Sequence, residues 1–255
     1  MNREEDTRAN LEQRGISDTN LLKILAWDSS FFGYTVGKIA AKEIGIGTIN
    51  KIIDEARRKD VKLLYLFMNA SDKVSQHSAE MVEAKLVDKK VTFSLKIGDA
   101  VFERDNHIEL LTSGYPSDKL IQLAIQSGLY SRYKIDSNFK NNEFEKLYTM
   151  WIINSVNRKI ADYTFVYKEE GVEVGLVTLK LGDNDGQIGL MAVDENSRGR
   201  SIGKKLVYAV IGSLKDKNID YVHVPTQEDN KVACKFYRSI GFEEIKTESI
   251  YHIWL

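Results

Sequence analysis

The sequence predicts an α/β chain with mixed sheets. Strand-like and helix-like stretches alternate from residue 34 to the C-terminus, and only Pro116 and Pro225 interrupt them. Several helical stretches carry an apolar stripe on one face, as a helix packed on a sheet does. With 255 residues the chain buries roughly 70–75% of its unfolded surface, so a core forms without metals or disulfides. Residues 1–20 read as polar, frayed or loosely helical. A strand over 34–40 precedes a helix over 49–59, with Ile49, Ile52, Ile53 and Ala56 at helical spacing. A buried strand over 61–68, a helix over 74–84 and a strand over 91–97 complete a first block. The charged, turn-like run 98–106 separates it from the rest, which assigns residues 1–105 and 106–255 to two domains.

The second block opens with helices over 117–127 and 143–157. Strands over 162–168, 173–181 and 187–193 follow, then a Gly-rich loop, a helix over 201–215, a strand over 221–225, a helix over 230–240 and a strand over 243–254. Residues 61–95 and 219–255 share the order strand, loop, helix, strand. Any α/β protein contains such units, but a duplicated module whose first copy lacks the Gly-rich loop also accounts for them.

Composition excludes several functions. Cys234 is the only cysteine, which rules out an internal disulfide framework and favours a reducing cytoplasm. The first residues lack the apolar stretch of a signal peptide, and no apolar run approaches the ~20 residues that span a bilayer. The net charge is −1 and the charges balance on both sides of Asn106, so no basic face invites nucleic acid. No metal is expected, and a homodimer is possible although nothing in the sequence demonstrates one.

The informative segment is 188–204. An apolar strand ends at Val193, a polar turn follows, and Arg198-Gly199-Arg200-Ser201-Ile202-Gly203 lead into a helix. Ile202, Leu206, Ala209, Val210 and Leu214 share one face of that helix. A strand–loop–helix with glycines at the turn presents free backbone N–H groups and a helix dipole to an anion such as a pyrophosphate. Arg198, Arg200 and Lys204 add positive charge. The run is neither a dinucleotide fingerprint nor a P-loop. Farther on stands Asn230-Lys231-Val232-Ala233-Cys234-Lys235-Phe236-Tyr237-Arg238-Ser239-Ile240-Gly241-Phe242.

Together these segments resemble the Gcn5-related N-acetyltransferase (GNAT) superfamily. Its pyrophosphate loop reads Gln/Arg-x-x-Gly-x-Gly/Ala, matched from Arg198 to Gly203 except that Ser201 replaces the inner glycine; a serine there can still cap the helix. The resemblance implies a GNAT fold with a mixed, splayed sheet, preceded by a smaller truncated GNAT-like N-terminal domain. It implies acetyl-CoA or another acyl-CoA as co-substrate, held by Met191, Ala192, Val193, Arg198, Gly199, Arg200, Ser201, Ile202, Gly203, Lys204 and Asn230. It also implies Tyr237 near the CoA sulfur, as general acid for the leaving thiolate. The splayed strands would be 187–193 and 221–225, with Pro225 at the gap; an ordinary strand-end proline is the competing account.

A narrower similarity is to the sugar-nucleotide branch typified by dTDP-fucosamine acetyltransferase. It rests on Trp27-Asp28-Ser29-Ser30-Phe31-Phe32-Gly33, on Ser131-Arg132-Tyr133, on 148–156, and on Thr226-Gln227 before the Asn230 helix. It implies transfer to the amine of a dTDP-linked amino-dideoxy sugar lying between the two domains. 4-Amino-4,6-dideoxygalactose is favoured and a 3-amino isomer stays open. Phe31 and Phe32 would stack on base or sugar, Arg132 would pair with the diphosphate, and Tyr133, Thr226 and Gln227 would complete the acceptor site. A buried aromatic corner and a surface salt bridge are the structural accounts of Phe31/Phe32 and Arg132. Proteins, polyamines or antibiotics as acceptors, and a non-catalytic acyl-CoA-binding module, stand as alternatives.

No general base is evident. Val222 and Val224 should share one strand face, which turns His223 to the other with Tyr221, in a structural role. Glu228 and Asp229 read as solvated loop carboxylates, and Cys234 as a small core residue.

Overall fold

The computed structural model describes residues 21–41, 43–98 and 105–255. The reading of residues 1–20 lies outside these. The chain forms two compact units, one of Met1–Lys85 with Tyr251–Leu255 and one of Leu86–Ile250. That division differs from the boundary expected at 105/106, part of whose segment is outside the described residues.

In the first unit β1 (Leu22–Ile24) pairs antiparallel with β2 (Thr35–Ile39), and β2 runs parallel to β3 (Val61–Asn69). Between β1 and β2 lies α1 (Ala26–Phe32), ended by Gly33 at φ 76°, a left-handed conformation that glycine adopts without steric cost. Helix α2 (Ile46–Arg58) buries the four residues its periodicity singles out, Ile49, Ile52, Ile53 and Ala56, against Leu64, Leu66 and Met68 of β3. Next comes α3 (Lys73–Met81), whose first turn is capped by Asp72 accepting from the Ser75 amide. Tyr251 and Ile253 enter the same core, and the Leu255 amide donates to the Lys62 carbonyl at 3.0 Å.

The second unit begins with β4 (Lys85–Lys96), six residues earlier than the apolar pattern suggests. Then follow β5 (Ile108–Leu111), α4 (Asp118–Ser127), a short α5 (Arg132–Ile135) and α6 (Glu143–Val156). Strands β6 (Tyr163–Glu169), β7 (Val172–Leu181) and β8 (Asp185–Val193) lead to α7 (Ile202–Lys215), β9 (Tyr221–Gln227), α8 (Lys231–Ser239) and β10 (Glu243–Trp254). Strands β5 to β8 form an antiparallel meander, β8 runs parallel to β9, and β9 pairs antiparallel with β4. One core joins Val91 and Phe93 of β4, Val222 and Val224 of β9, the buried stripe of α7, and Cys234 and Tyr237 of α8. Helices α4 and α6 pack against β6–β8 with none of their buried residues in that core, which puts them on the opposite face.

This is the mixed-sheet α/β architecture that the sequence predicts, and the repeat survives as β3–α3–β4 and β9–α8–β10. β1, α1, β5 and α5 are additions: each is short, and a period needs more turns or alternations than they contain.

Candidate active site

The site grows from a gap in the second unit's sheet. Strands β8 and β9 pair only at Asp185–Tyr221, Gly186–Val222 and Gln187–His223. The break has a local cause. Leu179 of β7 faces Ile188 but Val177 faces Met191, so Gly189 and Leu190 share the single residue Thr178 in a β-bulge. The Thr178 hydroxyl occupies the bulge, accepting from the Leu190 amide at 2.8 Å, and a Cβ on Gly189 would stand 2.9 Å from it. A bulge bends its strand, and here it follows directly on the last β8–β9 pair. Past it, the Asp194 amide donates to the Val174 carbonyl on the β7 side. By alternation the amides of Met191 and Val193 point to the β9 side, where no strand pairs. Pro225 lies beyond the last pair, facing Thr92 of β4 across its other edge.

Where β8 ends, the loop is tied down. The Val193 carbonyl accepts from Gln126 Nε2 at 2.9 Å and from Arg198 Nε at 3.3 Å, and Asp194 pairs with Lys119. Gly199 has φ 80° and Ser201 φ 60°. Ser201 stands at the N-cap, but its side chain makes no capping bond, because the left-handed backbone turns it away from the first turn. This corrects the expectation of a serine cap. Its carbonyl accepts from the Lys205 amide, so the amides of Ile202, Gly203 and Lys204 have no partner inside the helix. The Ile202 side chain is core, leaving only its backbone to a ligand. A Cβ on Gly203 would press the Phe236 ring at 3.3 Å. Arg200 pairs with Glu169 at 2.7 Å, and Lys204 Nζ lies 5.4 Å from the Tyr208 ring centroid. Ala192 is buried on the face opposite Met191.

Helix α8 closes the other side of the gap. Asn230 Oδ1 caps it by accepting from the Ala233 amide at 3.1 Å. Tyr237 is buried among Phe93, Phe236 and Phe242, and its hydroxyl donates to the Met191 sulfur at 3.5 Å. That burial raises the phenol well above its usual range. Val232 is 72% exposed, so the buried face of α8 runs through Cys234 and Tyr237. Cys234 is a free, buried thiol donating weakly to the Gln227 carbonyl, as a small core residue would.

On the other face of the same sheet lies a polar cluster. Arg132 donates to the Tyr133 hydroxyl at 2.6 Å, with its guanidinium 4.5 Å from that ring's centroid. Burial pushes the neighbouring Tyr148 phenol up to about 12. Gln227 hydrogen-bonds Asp88, a residue that sequence reasoning passed over. Burial pushes Asp88 up to about 7, against the pull of Arg132, Lys90 and the Gln227 hydrogen bond and with the push of Asp229. The available signal was the alternation Val87, Val91, Phe93, which extends β4 and turns Asp88 to the other face. Thr226 does not join this cluster: it faces Val91 and is buried on the Tyr237 side. His223 does turn away from Val222 and Val224, with its ring stacked on Tyr221 and Nε2 3.5 Å from Asp185. Phe31 and Phe32 belong to the first unit, where Trp27 stacks on Phe31 at 5.3 Å, Phe31 meets Phe32 edge to face at 4.9 Å, and Phe32 stacks on Tyr34 at 5.7 Å. Among the described residues no group of acidic, His or Cys side chains could hold a metal. No helix of the described chain is long and apolar enough to cross a membrane.

Residues 119–242 match the acetyltransferase (GNAT) family. These residues, just under half of the chain, form a GNAT-family region. The matched residues run from α4 to the residue before β10, and so contain both sides of the gap. The chain is 26% identical over 138 residues to the spore coat polysaccharide biosynthesis protein SpsD of Bacillus subtilis, covering 54% of this chain and 47% of that protein. It is 32% identical over 68 residues to N-alpha-acetyltransferase 30 of Saccharomyces cerevisiae, covering 27% and 39%. The chain therefore spans less than half the length of these curated relatives. A GCN5-related N-acetyltransferase from Sphaerobacter thermophilus superposes with a TM-score of 0.60 at 15% identity, covering 91% of this chain and 76% of that one, which supports the GNAT fold.

Proposed function

We propose that this GNAT protein transfers an acyl group, acetyl in the first instance, from acyl-CoA to the amine of a dTDP-linked amino-dideoxy sugar. The observation that carries the reading is the β8–β9 gap, with two unpaired strand amides on one side and the Tyr237 hydroxyl, bonded to the Met191 sulfur, on the other. The CoA pyrophosphate rests on the amides opening α7, with Arg198 and Lys204 beside it, and the pantetheine arm runs into the gap past Asn230. A strand amide at Met191 or Val193 holds the oxyanion as the amine attacks the thioester carbon. Tyr237 then donates to the departing sulfur. Its high pKa keeps the proton on the phenol throughout the working range, and the same dry surroundings destabilise a bare thiolate, which draws the proton across.

Two features support a sugar nucleotide as acceptor. The similarity to SpsD extends over 54% of the chain, and that protein's name assigns it to spore coat polysaccharide biosynthesis. Arg132, half-buried beside Asp88 and Tyr133, offers the bidentate donor geometry that phosphate oxygens accept. A thiol-release assay with acetyl-CoA and dTDP-4-amino-4,6-dideoxygalactose or its 3-amino isomer tests the reading. Turnover with one of them is expected, with Tyr237→Phe lowering kcat by about 10²–10³-fold while acetyl-CoA still binds. Turnover of peptide or polyamine amines with neither sugar accepted overturns the substrate. Bound acetyl-CoA with no amine accepted overturns the transferase.

A further inference from the structure

We infer that Asp88 is the general base that receives the proton of the acceptor's ammonium group. The inference rests on the proposed amine acylation and supplies the group that it lacks. Three segments far apart in sequence act on this carboxylate or feel its charge: Gln227 at the end of β9 hydrogen-bonds it, Arg132 of α5 favours its ionised form, and its charge raises the Tyr148 phenol of α6. The Oδ1 atom is buried without a hydrogen-bond partner. A buried carboxylate oxygen left unpaired costs free energy unless something occupies it part of the time, and an ammonium N–H is a fitting occupant.

The neighbours explain why the charge is not already neutralised. Lys90 shares the strand face, but its ammonium pairs with Glu248 at 2.7 Å. Arg132 has committed one arm to the Tyr133 hydroxyl. Asp229, on the β9–α8 loop, adds negative charge, and burial pushes the Tyr148 phenol up to about 12, which keeps it neutral in the working range. With burial the largest influence, Asp88 titrates at about 7, where an ordinary carboxylate has long been ionised. That closes much of the gap to an amine of pKa about 8–10, the condition for efficient proton transfer near neutrality.

Asp88 also lies on the right face. Val91 and Phe93 of its strand face the core that holds Tyr237, so Asp88 and Lys90 face the opposite side with Gln227. Acid and base are thereby kept on separate faces of one sheet, with Asp88 on β4, the strand paired with the β9 side of the gap. The balance runs as follows. An ammonium N–H bond breaks and its proton goes to Asp88 and on to solvent. The freed lone pair forms the C–N bond, and the C–S bond breaks. The thiolate takes the Tyr237 proton, and the phenolate regains one from the nitrogen of the collapsing intermediate.

The test is the pH profile of kcat and kcat/KM with whichever amine the wild-type enzyme acylates, so a wrong sugar does not obscure the result. Wild type should show an acid limb near pH 7. Asp88→Asn should lose about 10²–10³-fold in kcat at neutral pH, keep its acetyl-CoA affinity, and regain rate only as the acceptor amine itself deprotonates. Asp88→Glu should recover part of the rate, and His223→Gln should retain the wild-type limb. An Asp88→Asn enzyme that raises only acceptor KM, or keeps both rate and limb, overturns the inference and makes the residue an anchor or a bystander. Independently of turnover, ¹³C NMR of aspartate carboxyls should show a resonance titrating near 7 that Asp88→Asn removes. Titration of that resonance below about 5 overturns it too.

Discussion

Burial acts on Asp88 and Tyr237 alike, raising both, yet the chemical results differ. It brings the carboxyl into the working range and takes the phenol further out of it, which suits one to accept and the other to hold a proton. The carboxylate is costly to the fold. Burial favours its protonated form, so between pH 3.8, where it would titrate when unfolded, and about 7 the native state binds more protons than the unfolded chain. Stability from this group is therefore present at low pH and falls as pH rises through that window. Asp88→Asn should raise Tm above wild type by a few degrees at about pH 8, with the difference closing below about pH 4; calorimetry at both values checks it. Equal melting temperatures at the higher pH would contradict the account. An activity-for-stability exchange of this kind is common at functional sites.

At the scale of elements, the polar cluster around Asp88 and Arg132 depends on one close crossing. Gly128 ends α4, and a Cβ there would lie 2.0–2.6 Å from ring atoms of Tyr148 on α6. A rigid ring cannot yield as a flexible side chain does. Gly128→Ala should cost about 1–3 kcal/mol, lower Tm, and displace the phenol that neighbours Asp88, raising acceptor KM. Gly212 is the contrast: it sits inside α7 with nothing within 4 Å of an added Cβ. Gly212→Ala should stabilise by about 0.5–1 kcal/mol, measured by the same melting experiment. The apolar stripes of α2 and α7 were legible in the sequence because each repeats over three or more turns. The first half of β4 was not, since Lys85, Lys89 and Lys90 hide its alternation. Asp88 went with it.

For the whole molecule, the units do not follow the chain. The second unit includes β4 from the first half of the sequence, and the last residues of β10 belong to the first unit. Strand β4 pairs with β9 from Lys90–Gln227 to Lys96–Tyr221 and brings Val91 and Phe93 into the core around Tyr237. A fragment of residues 106–255 would leave the β9 edge unpaired and expose that core, an invitation to aggregate. It should be insoluble or bind no acetyl-CoA by calorimetry, whereas the full chain binds. A soluble, acetyl-CoA-binding fragment would show that β4 is dispensable.

The side proposed for acyl-CoA is encoded locally. The strand end, the glycine turn and the helix start lie within 188–204, and Asn230 caps the helix that carries Tyr237, so order and spacing in the sequence bring these elements into view. Hydrophobic periodicity likewise determined most of the strands and helices. The cluster proposed for the acceptor was decided only by tertiary structure. Arg132, Gln227 and Asp88 come from three distant segments, and what makes Asp88 unusual is its burial among them. Burial is a property of the packed ensemble of neighbours, and no single stretch of sequence carries it.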